Sequence, residues 1–450
     1  MKRIFCSFFA LIVLTGFASA SAAYTSILRV GLAYGSTAVQ TATIKSPSGF
    51  SVGTMNGTSF SGISSLSDTM LTISYGQSTY QVKNSDGENI YSASGDSIAF
   101  RPLSGVTTYG NYNFYGDFVF KVESSGKLTV INYVNIEDYV KGVLPYEMSA
   151  SWPLEALKAQ AVCARSYALG NLNKHKSYGF DVCNTTNCQV YNGTSRANDN
   201  SNSAVDQTKG QILMADGKLA TGYFFSSSGG ATENNENVWG GTPISYLRGV
   251  VDKYEDASAS SYNTWSVTLT ADQIAQKLKS AGYSIGTVAD VKVTKRTAMD
   301  NVNEVTVTDT TGKSVTIKNG SVRTVFGLNS IRYTIASNGS SISTGQGGSL
   351  FINDSAKTDG KLYAVGADGK SIAIGSVNGK TALTGSGSEK ISVSSGQTVT
   401  VPAGSYVFSG TGWGHNVGMS QYGARSMAKL GFNYDDILKF YYTGITISQM

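Results

Sequence analysis

Stretches of alternating apolar and polar residues, separated by Asn-Gly and Asp-Gly pairs, run through most of this chain. The segments "SILRVGLAYG", "TATIKSPSGFSVG" and "GKLTVINYVNI" have the two-residue period of β-strands. The pairs predict hairpin turns, because both residue types tolerate a positive φ angle. They lie at Asn56-Gly57, Asp86-Gly87, Asp216-Gly217 and Asn319-Gly320. The 51 glycines and 6 prolines among 450 residues fit the same β-rich interpretation.

Residues 136–175 depart from this pattern and predict helices. "IEDYVKGVL" predicts a short helix that ends at Pro145, and Pro153 is predicted to lie in the first turn of a longer helix, where its missing N–H costs nothing. Leucines and alanines recur there at helical spacing, so an alanine-rich face could pack closely against a sheet. Shorter helices are predicted over "TADQIAQKLKSAG", from about Ser420, and over "DDILKFYYTG". The predicted fold class is α+β, a β-rich core with a helical segment around Glu147.

The chain divides into four predicted segments. Residues 1–23 have the basic start, apolar stretch and small-residue end of a secretory signal peptide, with cleavage expected after Ala20 or Ala23. The core is expected to occupy residues 24–335, with a β-rich N-terminal portion to about residue 130. The low-complexity stretch "ASNGSSISTGQGGS" and three further turn pairs predict a linker and a small all-β insert over residues 336–405. Residues 406–450 are expected to return to the core.

The charge of the chain excludes some functions. The net charge is +5, and removing Lys2 and Arg3 with the leader leaves 33 basic against 30 acidic residues, or +3. No basic run stands out, so no nucleic-acid partner is expected. The apolar run in the leader is shorter than the roughly 20 residues that span a bilayer, which favours a cleaved signal over a membrane anchor. We therefore expect a secreted protein with no membrane span after cleavage.

Glu147 is a candidate general acid. It follows "LPY" and precedes Met148 and Trp152, and such apolar neighbours could desolvate the carboxyl group and raise its pKa. The alternative is an exposed glutamate between two helices. The chain shows no nucleophile elbow, phosphate loop or dinucleotide-binding pattern.

His175, Cys183 and Cys188 lie within 14 residues and could bind zinc. A fourth ligand is missing nearby, so the open position would be taken by solvent or by a distant group. The alternatives are a disulfide between Cys183 and Cys188, which an oxidising compartment would allow, or two free thiols. Cys163, on the alanine-rich helix, is predicted to be a small buried apolar residue.

Two glycine-rich stretches are candidates for substrate binding. "FFSSSGGATENNENVWGG" holds Ser226, Ser227 and Ser228, and its hydroxyl and amide groups suit a groove that binds sugars. "GTGWGHNVGMSQYGARSM" holds His415 and Gln421, and its glycines would let the backbone approach a substrate or another strand closely. Either stretch could equally be an ordinary polar loop.

Four segments, in order, resemble the stage II sporulation protein D (SpoIID/LytB) family. They are "NIEDYVKGVLPYEMSASWPLEALKAQAVCARSYAL", "GFDVCNTTNCQVY", "FFSSSGGATENNENVW" and "GWGHNVGMSQYGARSMAKLGFNYDDILKFYYTG". The similarity extends from Leu28 to about Ile447 and is interrupted by the insert. It implies a secreted or membrane-tethered lytic transglycosylase that cuts peptidoglycan between N-acetylmuramic acid and N-acetylglucosamine and leaves a 1,6-anhydro end. Sporulation members of the family favour glycan strands already stripped of stem peptides.

The resemblance also assigns residues. The family's catalytic glutamate corresponds to Glu147, and its helical lysine and arginine correspond to Lys158 and Arg165, which are expected to contact the substrate rather than the carboxylate. One carboxyl group suffices for this reaction, because the sugar's own C6 hydroxyl attacks, whereas a hydrolase usually needs a second carboxylate. The chain departs from the family at Asn187, where zinc-binding relatives can carry a histidine, and at Asn416, where a glycine is usual.

Two other functions remain as alternatives. Some relatives are described as enhancers of amidases, so the chain could be a non-catalytic wall-binding protein that stimulates an N-acetylmuramoyl-L-alanine amidase. The composition alone would also allow a structural surface-layer or adhesin-type protein. The glutamate, lysine and arginine favour the enzyme.

Overall fold

The computed structural model of the chain describes residues 24–256, 263–337 and 404–450, together with six short strands between residues 341 and 400. Twelve strands follow one another in the N-terminal portion, with a 3₁₀ turn at Gly35–Thr37. They are β1 Ile27–Ala33, β2 Thr41–Lys45, β3 Phe50–Asn56, β4 Ser59–Leu66, β5 Met70–Gly76, β6 Thr79–Lys83, β7 Asn89–Ala93, β8 Ser97–Pro102, β9 Thr107–Tyr109, β10 Tyr112–Phe114, β11 Asp117–Val122 and β12 Leu128–Asn135. The helical region follows with α1 Ile136–Glu147, α2 Leu154–Gly170, strand β13 Val182–Cys183 and α3 Asp199–Gln207.

These strands form two sheets that share one core. The first has the order β13-β1-β12-β11-β8-β3-β4, and the second has the order β10-β9-β2-β5-β6-β7. All pairs are antiparallel except β13, which lies parallel to β1 and so attaches the helical region to the sheet edge. Tyr109 of the second sheet packs against Phe118 of the first, with ring centroids 6.0 Å apart. The structure confirms the predicted α+β, β-rich fold class.

The remaining elements are shorter. Before the insert they are β14 Gln211–Ala215, β15 Lys218–Leu219, β16 Phe224–Phe225, α4 Asn235–Trp239, β17 Thr264–Thr270, α5 Ala271–Ser280, β18 Val288–Arg296, β19 Val302–Asp309, β20 Ser314–Lys318, α6 Ser321–Thr324 and β21 Tyr333–Ser337. The insert contributes β22 Ser341–Thr344, β23 Leu362–Val365, β24 Ser371–Ile374, β25 Thr381–Thr384, β26 Gly387–Lys390 and β27 Gln397–Thr400. The C-terminal elements are β28 Ser405–Thr411, β29 Met419–Ser420, α7 Gln421–Lys429, α8 Tyr434–Tyr441 and β30 Thr446–Gln449.

The C-terminal segment returns to the core. Strand β30 pairs antiparallel with β14, and β29 pairs parallel with β16. Strand β28 pairs with β21 so that Ser337 lies opposite Tyr406, which brings the two ends of the insert together. Within the insert, β22 pairs with β27, β23 with β24, and β25 with β26.

Local predictions at Pro145, at Asn319-Gly320 and at Pro153 were wrong. Pro145 does not end α1 but lies inside it, and the helix runs two residues further to Glu147. Pro145 lacks an N–H group and so removes one helical hydrogen bond, and because only two helical residues follow it, the helix can end there without further loss. Asn319-Gly320 does not form a hairpin but leads from β20 into α6, with Asn319 at a φ angle of 55°.

The other turn and helix predictions can be compared where the structure describes them. Asn56-Gly57, Asp86-Gly87 and Asp216-Gly217 each join two antiparallel strands, as predicted. The predicted helices correspond to α5, α7 and α8. Pro153 precedes the first residue of α2 rather than lying in its first turn. The leader lies outside the described residues, and within them no helix has the length and apolar character that a membrane span requires.

Candidate active site

Helix α1 places Glu147 at its C-terminal end, beside the loop that follows β13. The helix starts at Asn135, whose side chain accepts a hydrogen bond from the Glu137 N–H and so caps the first turn. Gly142, one turn before the end, lies directly against the ring of Tyr191, and a Cβ atom there would be 2.4 Å from that ring. The missing side chain therefore lets the loop carrying Tyr191 approach α1.

Glu147 is half-buried and interacts with neutral groups. Its Oε1 accepts a hydrogen bond from the backbone N–H of Val190 at 3.0 Å. Burial raises the pKa of the carboxyl group, while the Val190 N–H and the Gln421 side chain act in the opposite direction. Among the described residues, no basic or acidic side chain shifts this pKa. The glutamate is therefore a single carboxyl group whose neutral form is favoured by desolvation.

Gln421 begins α7 and is almost fully buried against this carboxyl group. Its amide group is close enough to lower the pKa of Glu147, although its Nε2 forms no hydrogen bond of standard geometry to any described residue. The prediction that Gln421 contacts the substrate is untested. The position against the acid gives it a second possible task, the stabilisation of the carboxylate after proton transfer.

His175, Cys183 and Cys188 come together as the sequence suggested. One ligand atom from each lies within 4.8 Å of the other two, and Cys188 Sγ is 3.4 Å from His175 Nε2. Neither cysteine forms a disulfide, and a hydrogen bond from the Cys188 thiol lowers the pKa of the Cys183 thiol. Sulfur and imidazole donors at this separation fit a zinc ion with one open position. Asn187, the departure from zinc-binding relatives, is exposed, and its carbonyl accepts a hydrogen bond from Lys174.

The cysteine cluster and Glu147 share one loop. Cys188 precedes Gln189, whose buried side chain accepts a hydrogen bond from the Tyr139 hydroxyl of α1 at 3.2 Å. The next residue, Val190, donates its N–H to Glu147. The loop that could hold a metal therefore also presents the Val190 N–H to Glu147. The sequence did not predict this contact, because a backbone N–H does not depend on the identity of the side chain.

The structure does not support the predicted contact between Arg165 and substrate. The Arg165 side chain is fully buried and forms a two-pronged ion pair with Glu137, at 3.0 and 2.6 Å. Its remaining nitrogen donates to the Gln211 carbonyl at 2.9 Å. These bonds tie α2 to α1 and β14, and the buried guanidinium presents no surface to a sugar.

Lys158 also has an intramolecular partner. Its Nζ lies 2.7 Å from Glu155 Oε1 and 5.7 Å from the centre of the Tyr434 ring. Glu155 in turn accepts the N–H of Tyr434, so this group joins α2 to α8. The predicted contact between Lys158 and substrate is untested.

Ser227 and Ser228 also have an internal partner, and their predicted substrate role stays a prediction. Both serines are fully buried, and both donate hydroxyl hydrogen bonds to the carboxylate of Glu255. Ser420 donates to the same carboxylate at 2.6 Å, so Glu255 joins the two glycine-rich stretches. Glu255 was not predicted, because only the fold brings the three hydroxyl groups to it. Ser226 is half-buried, and its predicted substrate contact is untested.

His415 lies in an aromatic cluster beside a cavity. Its Nδ1 accepts the Val417 N–H at 3.1 Å, and burial lowers its pKa to about 4, so the ring is neutral at physiological pH. The Trp239 ring is 5.4 Å from it, centre to centre. Asn416, next in sequence, adopts a φ angle of 65°, and its amide donates to Ser228 and Ala231, so asparagine keeps the backbone shape expected of the usual glycine.

Several known proteins are similar to this chain. The family model described as stage II sporulation protein matches residues 124–214. Stage II sporulation protein D of Bacillus subtilis is 30% identical over 335 residues, which cover 71% of this chain and 76% of that protein. An uncharacterized protein of Brachyspira hyodysenteriae is 33% identical over 353 residues, 78% of this chain and 76% of the relative.

A third relative is named for a different role. The amidase enhancer of Bacillus subtilis is 32% identical over 328 residues, which cover 69% of this chain but 40% of the longer relative. The matched family segment contains Glu147 and both cysteines of the cluster, and the match to the Bacillus subtilis sporulation protein extends over most of both chains. This chain therefore belongs to the stage II sporulation protein D family.

Proposed function

We propose that the chain is a peptidoglycan lytic transglycosylase that cleaves the bond between N-acetylmuramic acid and N-acetylglucosamine. The observation that carries this proposal is the single desolvated carboxyl group of Glu147, whose pKa no other described charged side chain shifts. A hydrolase of the usual kind would pair two carboxyl groups about 5–9.5 Å apart, and such a pair would raise one pKa through charge repulsion. A reaction with an internal nucleophile needs only one acid.

The chemistry follows from the two protonation states of Glu147. The neutral carboxyl group donates its proton to the glycosidic oxygen as the bond to C1 of the muramic residue breaks. The C6 hydroxyl of the same residue attacks C1, and the Glu147 carboxylate then takes the hydroxyl proton. The products are a free hydroxyl on the leaving sugar and a 1,6-anhydro ring, and the glutamate is regenerated as the neutral acid.

The neighbours of Glu147 suit this cycle. Burial favours the neutral form before the reaction, and the Val190 N–H and the Gln421 amide favour the charged form that appears during it. Neutral donors stabilise a carboxylate without holding it permanently ionised, as an adjacent cation would. The acid can therefore both give and recover a proton.

We also propose that His175, Cys183 and Cys188 hold a zinc ion. The ion would supply a rigid cross-link among the three side chains. Because the same loop presents Val190 to Glu147, the cluster would position this donor without touching the substrate. The chain would work outside the cytoplasm on wall glycan, after removal of the predicted leader.

Replacement of Glu147 tests the proposal. Glu147→Gln should lower the release of anhydro-muramic products from purified glycan strands by at least about a hundredfold, the usual contribution of a general acid. It should leave the melting temperature unchanged or raised at neutral pH, because the buried group no longer carries charge. Glu88→Gln, at an exposed turn, is the matched control and should retain full activity. Undiminished product from folded Glu147→Gln protein would overturn the proposal.

A second function is favoured by the relative named amidase enhancer. Under this alternative the chain binds the wall and stimulates a cell-wall amidase without cutting glycan. Stimulation of a purified amidase that persists in Glu147→Gln, together with the absence of anhydro ends from the wild-type reaction, would identify that role. The two activities are measured on separate products and are therefore distinguished directly.

A further inference from the structure

A cavity of about 300 Å³ lies between helices α1 and α3. Helix α1 contributes Asp138 and Lys141 to its lining, and α3 contributes Asn202. Tyr115, from the turn between β10 and β11, and Thr194, from the loop before α3, complete the polar part of the lining. All five side chains carry a hydrogen-bonding group, so the cavity suits a polar ligand.

A glycine brings the loop before α3 to this cavity. Gly193 adopts a φ angle of 64°, and a Cβ atom on it would clash with the Asn113 carbonyl oxygen of β10. The same carbonyl accepts a hydrogen bond from the Thr194 N–H at 2.8 Å. Because only glycine combines this φ angle with so close an approach, Gly193 fixes the loop against β10 and places Thr194 in the lining.

The cavity contains hydrogen-bond acceptors that have no donor within the described protein. The half-buried Asp138 carboxylate accepts no hydrogen bond from a described residue, and burial raises its pKa. Asn202 Oδ1 is buried and accepts none from the described residues either. By contrast, the buried carboxylates of Asp117 and Asp181 each accept two hydrogen bonds from an arginine side chain. Desolvated acceptors without donors cost free energy, which a ligand with hydroxyl or amide donors would recover.

The charges around the cavity favour a neutral ligand over an ion. The Nζ atom of Lys141 lies 2.8 Å from Oδ1 of Asp206. Lys141 lowers the pKa of Asp138 and Asp206 raises it, so charges of both signs act on the cavity. Lys141 would repel a cation, and the two carboxylates would repel an anion. A neutral sugar can instead donate its hydroxyl protons to Asp138 and accept a hydrogen bond from Lys141.

Exposed aromatic rings lie beside these polar groups and continue towards Glu147. Tyr115 is 39% exposed at the cavity, and Tyr112, three residues earlier, is 38% exposed. The Tyr112 ring lies 6.4 Å from the ring of Tyr146, which directly precedes Glu147 in α1. The Arg196 guanidinium lies 4.7 Å from the centre of the Tyr146 ring. Aromatic faces pack against the apolar C–H faces of sugar rings, so this surface suits a glycan strand that extends from the acid to the cavity.

We propose that the cavity between α1 and α3 is a second saccharide-binding site, which holds a neutral sugar of the glycan strand away from the bond cleaved at Glu147. Asp138 and Asn202 accept hydrogen bonds from the hydroxyl and acetamido groups of this sugar, and the Tyr115 ring packs against it. Asp138 lies nine residues before Glu147, about 13 Å along the helix axis, so the sugar is not one of the two that flank the cleaved bond. The identity of the strand rests on the proposed transglycosylase function, whereas the ligand class follows from the lining.

Glycan strands of defined length test the site, with binding measured calorimetrically on Glu147→Gln protein. A strand of eight sugars should bind at least about tenfold more tightly than a strand of four, the effect of hydrogen bonds to one charged group. Asp138→Asn, added to Glu147→Gln, should remove this difference by weakening the binding of the longer strand alone. Asp86→Asn, added in the same way, is the matched control and should retain the difference, because Asp86 lies in an exposed hairpin turn.

Binding and cleavage separate this site from the proposed reaction. A length dependence that Asp138→Asn removes supports the site even if the wild-type protein releases no anhydro ends. Anhydro ends without any length dependence of binding overturn the site and leave the reaction standing. Should Asp138→Asn fail to fold, Tyr115→Ala takes its place, since Tyr115 is exposed.

Two further results would overturn the inference. One is a length dependence that both variants retain, because the longer strand would then be held elsewhere. The other is loss of the length dependence on adding diaminopentane, a small dication, but not on adding N-acetylglucosamine oligomers. That result would assign the cavity to cations rather than to neutral sugars.

Discussion

Glu147 is surrounded by neutral hydrogen-bond donors, and these determine how the proposed cleavage activity depends on pH. In the proposed reaction the Glu147 carboxyl group must be protonated at the start, and its raised pKa keeps it protonated over a wider pH range. Because the folded pKa lies above the unfolded value, the native state is favoured at low pH and loses this stability as the pH rises through the folded pKa. Activity on the alkaline side should fall over the same range.

Gln421→Met should shift the alkaline fall of activity to higher pH. The Gln421 amide lowers the pKa of Glu147, so an apolar side chain of similar length without an N–H donor should leave the pKa of Glu147 higher. We expect the descending limb of kcat/KM to shift to higher pH by at most about one unit, because a full hydrogen bond to a charged group has about that effect and the Gln421 contact lacks standard geometry. A pH profile on glycan strands measures the shift. Tyr422→Phe, at the next position, is the control, and a limb that stays in place or moves downward would contradict the assignment.

The sequence predicts the burial of some site residues but not their partners. The desolvation of Glu147 could be predicted from its apolar neighbours, and the burial of Cys163 from its helix face. The partner of Arg165 could not be predicted, because Glu137 lies 28 residues away and only the packing of α1 on α2 joins them. A buried pair of this kind is destabilising to break, which gives Arg165 a structural role in joining α2 to α1.

At the scale of elements, the loop from β13 to Tyr191 joins the metal-binding candidates to the acid. Cys183 and Cys188 lie in the metal-binding cluster, and the Val190 N–H, two residues further along the same loop, bonds to Glu147. The sequence spacing could suggest the ligands, but not that the loop would lie against α1. That contact depends on Gly142, whose missing side chain makes room for Tyr191.

Loss of the proposed zinc ion should loosen this loop. Cys183→Ser or treatment with a chelator should remove about one zinc per chain, speed hydrogen exchange at Val190, and lower activity on the order of a hundredfold, as small misplacements of catalytic groups do. Metal analysis, exchange mass spectrometry and product release measure the three effects. Cys163→Ser is the matched control, since that thiol contacts Tyr442 and not the cluster. Equal exchange with and without metal would contradict the positioning role.

At the scale of the whole molecule, the chain closes on itself through its last residues. Strand β30 completes a sheet with β14, and α7 brings Gln421 to a carboxyl group that lies 274 positions earlier in the chain. The sequence predicted a return to the core after the insert, because the last segment carries the family motif. It could not predict that the return supplies a direct neighbour of the acid, since that depends on the pairing of β29 with β16.

The insert leaves and re-enters the core at one place, so its removal should leave the fold and the proposed activity of the core intact. Ser337 and Tyr406 face each other across β21 and β28, which is the geometry of the closed end of a hairpin. Replacing residues 339–403 with a short Asn-Gly turn should preserve cooperative unfolding. It should raise the free energy of unfolding by at most about 2 kcal/mol, because a shorter loop costs less entropy to close. Cleavage of soluble strands should be unchanged, whereas binding to whole wall sacculi reports any role of the insert itself. Thermal melts and product assays on the shortened chain make the comparison, and a large loss of stability would show that the insert supports the core after all.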